Sequence, residues 1–165
     1  MLIRPRKCLA IIALAVLLAI APFRLEQAST LQLQAKPYNA TGNFRTRELL
    51  CLAKNIYHES RGEPLHGKIA VAQVTMNRLR HPSKFQATIC GVVYENKQFS
   101  WTDSIVTIRD EAAWQEAKQI AQAVMSGKVI IPGFNALYFH TKQVFPRWRL
   151  DKKVVSVIGN HIFYA

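Results

Sequence analysis

CLAKNIYHESRGEPLHGKIAVAQV, residues 51–74, is the stretch whose apolar spacing sets the fold. Together with the residues just before it, Leu49, Leu52, Ala53 and Ile56 recur at i, i+3, i+4 and i+7, which places them on one face of a helix. Gly62 and Pro64 then break the pattern, so the spacing predicts a helix from about Thr46 to Glu59. Glu59 follows Leu52 by seven residues, only about 20° around the helix axis. A carboxylate therefore ends the apolar face. A second helix, from about Leu65 to Arg80, carries Ile69, Val71, Ala72, Val74, Met76 and Leu79 over a wide arc, as expected of a helix buried on most sides.

Toward the C-terminus, Ile89, Val92 and Val93 predict a short helix within Phe85 to Tyr94. A long helix is expected from Thr107 to Ser126, with Trp114, Ala117, Ala121, Val124 and Met125 inward. Thr107 would cap its start and Gly127 its end. The last third changes character. Ala136 to Thr141 and Val154 to Ile158 are rich in aromatic and β-branched residues, and Gly159 with Asn160 would turn the chain into Ile162 to Ala165. The fold class read from this pattern is α+β, mainly helical, with a small C-terminal antiparallel β element.

Toward the N-terminus the chain becomes polar. Residues 24–44 include Gln27, Ser29, Gln32, Gln34, Pro37, Asn39 and Gly42 without a sustained apolar period, which reads as a linker to a working domain over 45–165. Before it, Arg4, Arg6 and Lys7 precede an uncharged apolar run from Cys8 to Ala21, the arrangement of an export signal. As a helix this run would rise about 21 Å, short of a hydrocarbon core of roughly 30 Å. A small-residue site at Ala19 to Ala21 favours cleavage, and Pro22 directly after it opposes cleavage. Residues 1–23 are thus a signal peptide or a retained membrane anchor, and both readings stay open.

The 165 residues suit one domain plus this appendage, and 50% hydrophobic content is enough for a sizeable core. The formal charge is +12, and setting aside Arg4, Arg6 and Lys7 lowers it by only three. A basic domain seeks anionic partners. Export disfavours nucleic acid and leaves cell-wall polymer or anionic lipid. His58, His66, His81, His140 and His161 form no H-x-x-x-H or H-x-H cluster, so no metal or other cofactor is expected.

The run Tyr57 to Pro64 gathers two glutamates and Arg61 where a helix ends. It reads either as general acid–base chemistry on a glycosidic bond, which needs a carboxyl kept protonated by an apolar wall, or as a surface ion pair. Gln98, Phe99, Ser100 and Trp101 place an amide, a hydroxyl and two rings in one loop. That composition suits sugar hydroxyls and pyranose faces, although the two rings could equally plug the core. Cys8 falls in the export segment, which leaves Cys51 and Cys90 as the pair expected to form a disulfide after export.

The run 51–74, followed by Asn77 and Arg78, resembles the cell-wall hydrolase family typified by the spore-cortex-lytic enzyme SleB. ICGVVY at 89–94, QFSW at 98–101, YFHT at 138–141, Pro146 with Trp148, and IGNHIFY at 158–164 are similar to the family's later blocks in the same order. The resemblance covers about 120 residues. It implies a lysozyme-like α+β domain that cuts the glycan strands of peptidoglycan in the manner of a lytic transglycosylase, with Glu59 as the one essential glutamate. Ser60 and Lys68 depart from the family's usual alanine and glutamine. Tyr138, His140 and His161 would line the cleft opposite the 98–101 loop, or the histidines would simply be satisfied by backbone carbonyls. Glu63 would orient Arg61 or cap the next helix. A monomer is expected, with peptidoglycan as its partner and the membrane reached through the N-terminal segment if that is uncleaved. The rival class is a non-catalytic peptidoglycan-binding module, which would use the same aromatics and the same charge.

Overall fold

The computed structural model describes residues 41–165. Residues 1–23, expected to be a signal or anchor, and nearly all of the expected linker lie outside the described residues. Four helices come first: α1 (Gly42–Ser60), α2 (Leu65–Arg78), α3 (Ile89–Val93) and α4 (Glu111–Met125). Three short strands follow, β1 (Tyr138–Thr141), β2 (Val154–Ile158) and β3 (His161–Tyr164). They form an antiparallel sheet in the order β1-β3-β2, with β1 at an edge and Phe139 opposite Phe163. The α+β class expected from the pattern is what the chain adopts. Gly159, at φ +57°, makes the β2–β3 turn with Asn160.

α2 is the hinge of the packing because it buries two sides at once. Ala72 joins Leu52, Ile56, Ile89, Val93, Ala121 and Val124 in a core between the helices. Ala70, Val71 and Val74 meet Phe134, Ala136 and Phe163 in a second core beneath the sheet. The buried polar groups of α2 tie down the chain leading into β1. Gln73 donates to the Ile131 and Phe134 carbonyls, and Asn77 donates to those of Phe134 and Ala136 at 3.0 Å each. Backbone that would otherwise be buried without partners is thereby satisfied.

Several boundaries differ from the sequence expectation for identifiable reasons. α1 starts at Gly42, a turn before Thr46, and so takes in the last residues assigned to the linker. α4 starts at Glu111 and not at Thr107, because the Tyr57 hydroxyl accepts from the Arg109 and Asp110 amides at 3.1 and 3.0 Å. Asp110 rather than Thr107 is the cap, accepting from the Ala113 amide at 2.9 Å. α3 is shorter than the 85–94 window. The Thr88 hydroxyl caps it through the Gly91 amide, and the buried Glu48 carboxylate accepts from the Ile89 and Cys90 amides. α2 ends at Arg78, and β3 takes in His161, one residue before the expected start. A short 3-10 segment at Arg147–Asp151 had no counterpart in the pattern. Beside the Glu48 contact, Cys51 of α1 and Cys90 of α3 are joined by a disulfide with Cα atoms 5.2 Å apart.

Candidate active site

Glu59 is the penultimate residue of α1, where the apolar stripe of that helix runs out. It is half-buried and opens onto a cleft of about 290 Å³. α2 contributes Arg78 to this cleft, the loop after α3 contributes Gln98, Phe99 and Ser100, and the edge strand β1 contributes Phe139, His140 and Thr141. Burial raises the Glu59 carboxyl from its ordinary 4.5 to about 7, against the opposing pull of the Arg78 charge. No hydrogen bond or ion pair among the described residues engages that carboxyl. Near neutral pH it therefore holds a proton part of the time.

The cation beside Glu59 is Arg78, not Arg61. Arg61 stacks over the Tyr57 ring at 5.2 Å. Glu63 does not orient Arg61 or cap α2. It accepts from the Asn160 amide at 2.8 Å and from Asn160 Nδ2 at 3.1 Å, which pins the β2–β3 turn to the start of α2. A Cβ on Gly159 would fall 1.9 Å from the Glu63 Oε2, so this contact requires glycine there. Both departures from the family pattern are accommodated locally. The Ser60 hydroxyl donates to the Ile56 carbonyl at 2.8 Å, and Lys68 pairs with Glu116 of α4 at 2.6 Å.

The residues read as substrate-binding are only partly brought together. Gln98, Ser100 and His140 share the cleft with Glu59. Phe99 touches it too, but is only 4% exposed and packs against Phe139 and the Arg78 guanidinium, so it largely fills the interior. Trp101 is turned away by the 3-10 segment Ser100–Asp103. It stacks on His58 at 4.6 Å and lines a neighbouring groove with His58, Ile105 and Val106. Tyr138 covers Arg78 instead of lining the cleft.

The histidines divide. His140 Nδ1 donates to the Thr141 carbonyl, and its Nε2 is hydrogen-bonded with the Tyr164 hydroxyl, each at 2.8 Å. His161 does not reach the cleft wall. It is 1% exposed, lies edge-on to Phe139 and stands 4.0 Å from Glu63, and burial lowers its pKa.

Sequence reasoning missed Arg78 as a site residue. It is 4% exposed, donates from Nε to the Leu137 carbonyl at 2.8 Å, and lies over the rings of Phe85, Phe99 and Tyr138 at 5.2 to 5.9 Å. A basic residue in the last turn of a helix reads as an ordinary complement to the helix dipole. The available signal was phase: Val71, Val74 and Arg78 fall at i, i+3 and i+7, so the cation sits on an inward face.

The chain thus places one half-buried carboxyl, Glu59, in a cleft between helices and a small sheet. It belongs to the cell wall hydrolase family, whose pattern matches residues 62–164, beginning just after Glu59. The spore cortex-lytic enzyme of Oceanobacillus iheyensis is 30% identical over 128 residues, covering 76% of this chain and 44% of that protein. That of Bacillus cereus is 32% identical over 133 residues, covering 79% and 49%. The chain thus spans less than half the length of these curated relatives. Among solved structures, the catalytic domain of the Bacillus cereus SleB protein matches with TM-score 0.58 at 27% identity, covering 81% of this chain and 99% of that one. The catalytic domain of the germination-specific lytic transglycosylase SleB from Bacillus anthracis matches with TM-score 0.60 at 28% identity, covering 78% and 99%.

Proposed function

We propose that this protein is an exported enzyme that cuts the glycan strand of peptidoglycan at the MurNAc–GlcNAc bond, as a lytic transglycosylase with Glu59 as its one catalytic carboxyl. The observation that carries this reading is the Glu59 carboxyl itself, raised to about 7 by burial, unpaired and open to a cleft. Breaking a glycosidic bond leaves a poor leaving group, so an undissociated acid must protonate the departing oxygen as the bond to the anomeric carbon breaks. Glu59 then serves as base and takes the proton from the sugar's own 6-hydroxyl as it attacks, closing a 1,6-anhydromuramic ring. Gln98 and Ser100 supply hydrogen bonds to sugar hydroxyls along the cleft. Trp101, in the adjoining groove, contacts a strand long enough to run past Ser100.

The wider assignment rests on different supports. The basic balance of the chain fits an anionic wall, and the Cys51–Cys90 disulfide fits an oxidising compartment reached through the segment 1–23. A wall-binding module without catalysis has no use for a free carboxyl poised near neutrality, and this separates the two readings. Mass analysis of soluble products from purified sacculi is the test. Anhydro ends support the transglycosylase assignment, reducing ends would replace it with water as the nucleophile, and no release of muropeptides would overturn the enzyme reading.

A further inference from the structure

Arg78 presents an energetic problem that packing alone does not resolve. A buried guanidinium costs several kcal/mol in lost hydration unless its charge and donors are matched. Here Nε reaches the Leu137 carbonyl and three aromatic faces surround the group, but Nη1 is buried with no partner. The titratable groups facing it come from three directions: Glu59 at the end of α1, Glu95 in the loop after α3, and the Tyr138 phenol on β1, whose ring also receives Lys84 and Lys152. Glu95 likewise has a buried, unpartnered Oε2. The cation is thus held by the Leu137 carbonyl and three rings, and it lines the same cleft as Glu59.

We propose that Arg78 is a positioning residue for the reaction, a fixed cation that stabilises the Glu59 carboxylate left when the proton departs. The inference rests on the reading of Glu59 as the catalytic acid. In the first step the Glu59 carboxyl passes its proton to the bridging oxygen. The electron pair of the breaking bond goes to that oxygen, and Glu59 becomes an anion. In the second step the attacking hydroxyl loses its proton to Glu59. Arg78 keeps its own proton throughout, consistent with a group that burial lowers only to about 10. Its effect is largest where a full charge has appeared on Glu59 in a partly dry site, and preorganised charge is most effective there because nothing has to reorient. Arg78 does not touch the substrate in this account.

The test is the pH profile of sacculus solubilisation by the full chain and by R78Q, R78K and E59Q. R78Q keeps a polar group of similar length but removes the charge. Its kcat should fall about tenfold with KM little changed, a modest fraction of the loss seen when a direct oxyanion donor is removed. The alkaline limb should move above its wild-type position, because the anion has lost its stabilising neighbour. R78K keeps the cation, and should retain most of kcat with the limb unmoved. A folded R78Q with an unmoved limb, or an R78K that fails as R78Q does, would reduce Arg78 to a plug between Leu137 and the three rings. If R78Q does not fold, the R78K comparison decides alone: a retained limb with retained kcat supports the proposal, and loss of kcat overturns it. E59Q distinguishes the two levels, since an active E59Q refutes the reading of Glu59 itself rather than the role of Arg78.

Discussion

Replacing Glu59 by glutamine should stabilise the protein, and the gain should grow with pH. The carboxyl sits at about 7 in the folded chain against an ordinary 4.5. Between these values the folded state binds the proton more tightly than the unfolded state, so the contribution of Glu59 to stability is full below about pH 4.5. It declines as pH rises and is lost above about 7. The difference sets a ceiling of about 3 kcal/mol on the cost of ionising Glu59 in place. Glutamine fits the same space and carries no charge at any pH, so this cost vanishes. Thermal melts of wild type and E59Q from pH 4 to pH 8 should start close together and diverge by several degrees in favour of the variant. Stability curves that stay parallel across this range would show that burial does not perturb Glu59, and the acid role would lose its physical basis.

Three further outcomes follow from the same geometry. Solubilisation of sacculi by the wild type should decline as pH rises through about 7, since the protonated form of Glu59 is the donor; a rate still rising at pH 9 would contradict this. Cys51 and Cys90 should be unreactive to thiol reagents in the unreduced, denatured domain. Reduction of a bridge with sequence separation 39 should cost roughly 3 to 4 kcal/mol in urea melts, and two titratable thiols would refute the pairing. Activity on sacculi should drop as salt exceeds physiological strength while cleavage of a short neutral fragment holds steady, and equal sensitivity on both would remove the role assigned to the basic surface.

What was legible in the sequence was whatever depends on spacing along one element. The phase of Leu52, Ile56 and Glu59 on α1 was enough to find a carboxyl at the edge of the core, and the wide arc of α2 foretold its burial on two sides. Contacts between distant elements were not legible. The start of α4 depends on a hydroxyl 53 residues away, and no propensity at Thr107 reveals that. Ser100 and Trp101 are adjacent in sequence, yet a tight 3-10 turn rotates successive side chains by about 120° and sends them to different grooves. His161 alternates with Ile162 along β3, and which of the two meets the helices is decided by register against β1. Arg78 was readable from its phase and was passed over because cations at helix ends are ordinary.

The central claim is that one carboxyl, Glu59, performs the proton transfers that break the glycan strand. Purified E59Q, shown to be folded by its melting curve and to bind sacculi as the wild type does, should release soluble muropeptides at a rate lower by on the order of a hundredfold or more. Near-normal release by that folded, binding-competent variant would contradict the account.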